Sequence, residues 1–252
     1  MRYALCFFPL FVTTPILAET CTVPDGVGQA AVQANLLIED NAGDGDMSVV
    51  AKIDAERWRE LCMFDPSGAL MLRMLPAGGL GTMGLGKASF ESREPTYAEM
   101  DYAGLKALLP EGQYSVRVAG MDGRVLTGEA LFTTVLPNAP VIVTPQTVPD
   151  SDGDVPKVPL ADLAIEWLPV TASQDGRPLV VTGYAVSVVK ENHEDPNGAS
   201  RPDLEVHLGP DATSWVVPAA FLDPASLYEL EIVVIEQSGN QTIGGASFFA
   251  TE

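Results

Sequence analysis

Hydrophobic residues in this chain recur mostly at every second position. Met47, Val49, Ala51 and Ile53 do so, as do Tyr114, Val116 and Val118, then Leu163, Ile165 and Trp167, Leu204, Val206 and Leu208, and Tyr228, Leu230, Ile232 and Val234. A period of two predicts strands with one buried face. Residues 58–64 read as a separate strand. Residues 69–75, apolar on both faces except for Arg73, read as a strand covered on both sides. Helical spacing occurs in one place, over 97–109, through Tyr97, Met100, Leu105 and Leu108. Turn residues separate these runs, notably Asp65-Pro66-Ser67-Gly68, Met121-Asp122-Gly123-Arg124 and Ser238-Gly239-Asn240.

Two of the strands open in the same way. Leu222-x-Pro224-x-x-x-Tyr228 precedes one, and Leu108-x-Pro110-x-x-x-Tyr114 the other. A Tyr just inside a strand after a Pro turn predicts a tyrosine corner, with the ring in the core and the hydroxyl bonded to upstream backbone. Gly128-x-Ala130-x-Phe132 after the first corner parallels Gly244-x-Ala246-x-Phe248 after the second. The reading is therefore all-β: two β-sandwiches in tandem, with a short helix in the first. The boundaries are 19–137 and 138–252, joined at Leu136-Pro137-Asn138-Ala139-Pro140.

The second unit resembles a fibronectin type III domain. Leu163-x-Ile165-x-Trp167-x-Pro169, Gly183-Tyr184-x-Val186-x-Val188, the Leu222–Tyr228 corner and Ser238-Gly239-Asn240 stand where strand B, strand C, the E–F corner and the F–G loop belong. The departures are an extended A–B loop and an enlarged loop at 191–202. The first unit shares the corner and the last strand and is similar to an immunoglobulin-like sandwich. The whole chain also resembles exported two-domain proteobacterial proteins, on Phe90-Glu91-Ser92-x-Glu94-Pro95 and Leu109-Pro110-Glu111-Gly112-x-Tyr114. That resemblance implies export and a β-fold, not an activity.

Residues 1–18 add a compartment. Arg2 precedes an uncharged apolar run ending at Ala18, the pattern of a cleaved signal peptide, so the expected location is secreted or periplasmic. The segment is too short for a stable membrane span. Cys6 lies within it, which leaves Cys21 and Cys62 as an expected disulfide in an oxidising compartment. A lipoprotein reading of Cys21 fails because Glu19 and Thr20 occupy positions that want small residues. The formal charge of -20 excludes nucleic acid and anionic membranes as natural partners and favours solubility.

Candidate chemistry is sparse. Gly79-Leu80-Gly81-Thr82-Met83-Gly84 matches a dinucleotide fingerprint, and 81–87 matches part of a phosphate loop. Ala88 replaces the hydroxyl residue that would hold magnesium, and a strand follows where a helix is needed, so a hairpin loop is expected. Asp150, Asp152 and Asp154 open like a calcium loop, but Val155 and Ala161 replace its Gly and Glu. Calcium there is the one cofactor worth testing; Asp40, Asp44 and Asp46 form a similar acidic turn. His193 and His207 are the only histidines and read as surface residues. Glu166 is turned outward by the alternation around Trp167. Trp167 and Trp215 read as core or edge residues, and Trp58 is the one tryptophan worth testing as an exposed carbohydrate contact. The expected function is an exported, non-catalytic binding, adhesion or spacer protein. Its ligand would be a protein or glycan held at loops or a sheet edge. Two alternatives belong to other classes: a secreted hydrolase or accessory module acting on extracellular polysaccharide, and a structural envelope protein assembling by strand pairing or calcium.

Overall fold

The computed structural model describes residues 20–25, 28–191, 193 and 203–252. The expected signal segment 1–18 and most of the loop at 192–202 lie outside the described residues. Strands dominate. In the first half they are β1 (Gln29–Ala30), β2 (Gln33–Asn41), β3 (Asp46–Phe64), β4 (Leu70–Met74), β5 (Leu85–Glu91), β6 (Gly112–Gly120) and β7 (Val125–Phe132). Two short helices join them, α1 (Gly78–Met83) and α2 (Tyr102–Leu108).

The first half turns on β3. Runs 47–53 and 58–64 are parts of one strand of 19 residues rather than two. Its first part pairs with β2 and β5, its second with β4 and β6. Register shifts flank Trp58 on both sides. Such bulges bend a strand and reverse its in/out phase, which is why the alternation breaks there and suggests two strands. The bend carries β3 from one layer of the sandwich to the other. Trp58 is wholly buried at the crossing. The core it joins holds Met47, Val49, Ala51, Ile53, Leu61, Met63, Val116, Val118 and Phe132. Cys62 and Phe64 face the opposite side and are covered by the N-terminal strap, which the Cys21–Cys62 disulfide ties down.

Three expectations are corrected here. β4 is half-buried throughout and Leu75 is 53% exposed, so 69–75 forms an edge strand and not one covered on both sides. The glycine-rich segment 76–86 holds the six-residue helix α1 and is not a simple hairpin loop. α2 begins at Tyr102, not Tyr97, because the Asp101 carboxylate accepts the Gly104 amide at 2.7 Å and caps it there.

The second half is a three-on-four sandwich. One sheet has the order β13 (Ser214–Val216), β10 (Ala164–Leu168), β8 (Val141–Thr144). The other runs β15 (Gln241–Thr251), β14 (Leu227–Glu236), β11 (Val181–Lys190), β12 (Asp203–Leu208), with β9 (Lys157–Val158) beside β15. Within each sheet the main neighbours are antiparallel. This is the fibronectin type III arrangement. Leu163, Ile165 and Trp167 face Tyr184, Val186, Val188, Leu230, Ile232 and Val234 across its core.

Both corners form. Tyr114 donates to the Pro110 carbonyl at 3.0 Å. Tyr228 accepts the Asp223 amide at 2.8 Å and reaches the Phe221 carbonyl at 3.4 Å. The two G-x-A-x-F strands also do the same job. A Cβ on Gly128 would lie 2.3 Å from the Val32 carbonyl oxygen, and one on Gly244 2.5 Å from that of Pro140. In the first half the chain between β1 and β2, and in the second the chain entering β8, presses on the last strand at a glycine.

Candidate functional site

The two halves share a sheet. Gln241, Thr242 and Ile243 at the start of β15 pair in parallel with Glu39, Asp40 and Asn41 at the end of β2. The β14–β15 hairpin carries the lock. Gly239 takes a positive φ of 95° and turns the chain so that Asn240 points inward, fully buried. The Asn240 Oδ1 accepts the Ile38 amide at 2.8 Å. Its Nδ2 donates to the carbonyls of Thr133 and Val135, both at 3.0 Å. The Thr242 hydroxyl donates to the Pro137 carbonyl at 2.9 Å. The side-chain amide of Asn240 is thus spent on the first half, leaving no donor for solvent.

A charged clasp stands beside this lock. Arg177 donates to Glu111 at 2.8 Å, to the Thr134 hydroxyl at 2.9 Å and to Asp175 at 2.7 Å. The Thr134 hydroxyl and the Arg177 guanidinium hold the Glu111 carboxyl down at about 2. Lys106 on α2 approaches Asp175 at 3.6 Å.

The seam forms an open cleft of about 440 Å³ lined by Asp40, Tyr97, Asp101, Tyr102, Asn138 and Gln174, among others. Asp40 is 3% exposed. Its carboxylate accepts the Tyr97 hydroxyl at 2.7 Å and the Gln174 amide at 2.6 Å, so one bond comes from each half. Burial and the neighbouring Asp40 push the Tyr97 phenol well above its ordinary range. The buried Tyr102 hydroxyl faces Thr134 and Arg177 without hydrogen-bond geometry to either. Carboxylate, hydroxyl and amide groups therefore converge beside two tyrosine rings, a set suited to a polar, neutral ligand.

A separate acidic group lies where the β2–β3 turn meets the outer face of β14. Burial, then Glu229, Glu39 and Asp44, raise the Glu231 carboxyl to about 7. Two of those neighbours, Glu39 and Asp44, come from the first half.

The sequence-predicted residues fall mostly elsewhere. Asp150, Asp152 and Asp154 are exposed; the Asp152 amide donates to Asp150 at 2.9 Å. Their oxygens do not form a group lying within 4.8 Å of one another, and neither do those of Asp40, Asp44 and Asp46. Among the described residues the one such group is Cys21, Glu60 and Cys62, whose sulfurs are bonded to each other. His193 is exposed, and His207 on β12 contacts Glu205 at 2.8 Å on the surface. Trp58 is core, which removes it as a carbohydrate contact; Trp167 is core and Trp215 half-buried. Glu166 is exposed, as the alternation predicts. Sequence reading missed Asn240, Gln174 and Arg177. Polar residues in turns read as solvated, and nothing local distinguishes one that meets a second unit. No helix among the described residues is long and apolar enough to cross a membrane.

No protein-family model matches the sequence, and no curated protein matches it. Solved structures do. The fibronectin(III)-like modules of Clostridium thermocellum CbhA are 8% identical, with 91% of this chain and 92% of that chain covered and a TM-score of 0.31. The FN1-FN3 domains of chicken CNTN1 are 12% identical, with 89% and 69% covered and a TM-score of 0.35. At those scores the fold assignment rests on the strand order above.

Proposed function

We propose that this chain is an exported, non-catalytic binding and spacer protein in which two β-sandwich units hold a ligand pocket at their seam. The observation that carries the reading is Asn240, buried and hydrogen-bonded to three backbone groups of the first half. A flexible tether needs no such residue. A pocket lined from both halves keeps its shape only if the halves keep theirs, and the lock supplies that. The apolar N-terminal stretch and the Cys21–Cys62 disulfide support export. The seam lacks a histidine, and its buried carboxylate is spent on two neutral donors, which supports binding rather than hydrolysis. The ligand class that suits these groups is a neutral glycan, with Tyr97 and Tyr102 as stacking faces and the exposed Asp101 and Asn138 as polar contacts.

A glycan array probed with the purified chain and with Tyr102→Leu, its fold checked by circular dichroism, tests this. That variant removes a stacking ring together with a hydroxyl that has no hydrogen-bond partner. Retention of a neutral glycan by the wild type, weakened at least fivefold in the variant, supports the reading. Equal retention by both moves the ligand site away from the seam. No retained glycan rules out the glycan-binding reading and leaves the spacer role alone.

A further inference from the structure

A second cavity in the first half has a different chemistry. Among the described residues β4 and β5 pair with β3 alone, so the bent sheet is open on the side of these two edges. α2 lies across that opening but buries a single residue, Leu105. The space left beneath it is about 400 Å³, with Val49, Met71, Phe90, Met100 and Leu108 among its walls. That volume lies within the range of small-molecule pockets. Methionines supply adaptable, polarisable surface rather than a fixed shape. The one charged residue in the lining is Arg93. Among the described residues its one ion pair is with Glu99, at 3.4 Å and with both side chains more than half exposed, a contact of little strength. Glu91 and Glu94 flank it in sequence but do not line the cavity.

We propose that this cleft binds a single-chain carboxylate amphiphile, with the aliphatic chain against Val49, Met71, Phe90 and Met100 and the carboxylate on Arg93. The charge argument is specific. On a chain with formal charge -20, an anion is repelled almost everywhere, and an apolar cleft whose one charged lining residue is a cation is where such a ligand gains both contacts. An arginine offers a carboxylate two parallel N–H donors.

Isothermal titration of the purified chain with laurate and with dodecanol, both below micelle formation, decides the matter. Laurate should bind saturably at one site, at least tenfold more tightly than dodecanol. Arg93→Glu should weaken laurate at least tenfold and change dodecanol less than twofold. Met71→Trp should remove laurate binding by filling the cleft; Met100→Trp serves the same purpose if circular dichroism shows that the first variant is misfolded. Absence of saturable laurate binding overturns the proposal. So does laurate binding unchanged by both the charge and the filling variants, or dodecanol binding as tightly as laurate.

Discussion

The two sandwiches open and close alike but are built differently between. Each has a tyrosine corner and a last strand of the form G-x-A-x-F whose glycine lies under the incoming chain. The second half places its layers in two separate sheets, with core residues alternating cleanly on β10, β11 and β14. The first half makes both layers from one sheet folded about β3. Two separate sheets spare each strand the crossing from one layer to the other. A bent sheet needs bulges, a buried pivot and a cover for its open side, and Trp58, α2 and the apolar cleft are the consequences. The same ends can therefore frame two constructions, and the bent one leaves an apolar cleft beneath α2.

The largest test of that contrast is the pivot. Trp58→Ala and Trp167→Ala both remove a buried indole and should each cost about 3–5 kcal/mol. Loss of Trp58 should loosen both layers of the first half, because β3 belongs to both, whereas loss of Trp167 strips one sheet of the second. Hydrogen exchange would show the difference: amides of β2 and β6 exposed together in the first case, those of β10 and its neighbours in the second. The shared crossing comes next. Gly128→Ala and Gly244→Ala should each cost about 1–3 kcal/mol by forcing the strands apart. Urea midpoints should fall by similar amounts if the crossings are equivalent, and a large inequality would break the parallel. Smaller again are the corners. Tyr228→Phe orphans the Asp223 amide and should cost about 1–2 kcal/mol, and Tyr114→Phe, which loses one bond to Pro110, about 1 kcal/mol.

The contrast also explains what could be read from the residues alone. The second sandwich was legible because the core-facing residues of β10, β11 and β14 keep one alternating phase, although the pairing registers shift at Glu166/Trp167, Val181/Gly183 and Leu230/Ile232. Leu163, Ile165 and Trp167 alternate without a break, and Glu166 between them is exposed. In the first, the phase reversal at Trp58 divided β3 in the pattern, and α1 was hidden because a glycine-rich, uncharged run carries no helical period. The corners were legible because they are local, with Pro and Tyr four residues apart. The seam was not. Across the seam, Asn240, Gln174 and Arg177 bond residues between 37 and 202 positions away, and no local signal marks such partners.

The mildest expected effect lies in pH. Glu231 has a folded pKa raised to about 7 by burial and by carboxylates that include Glu39 and Asp44 of the other half. A raised carboxyl contributes its full stability below the ordinary value near 4.5 and loses it as pH rises through about 7. Glu231→Gln should therefore melt higher than the wild type at pH 8 and no higher at pH 4.5. Glu111 has the opposite sign. Its folded pKa of about 2 gives stability that is present above 4.5 and lost as pH falls towards 2. Thermal melts across that range would separate repulsion across the seam from the attraction of the Arg177 clasp.

The central claim is that the seam makes the two sandwiches one body. Differential scanning calorimetry of the wild type beside Asn240→Ala tests it most directly. The wild type should unfold in one transition whose calorimetric and van't Hoff enthalpies agree. Asn240→Ala leaves the buried Ile38 amide unpaired, costs about 1–3 kcal/mol, and should split the transition in two. Two resolved transitions in the wild type, or a single unshifted transition in the variant, would contradict the account.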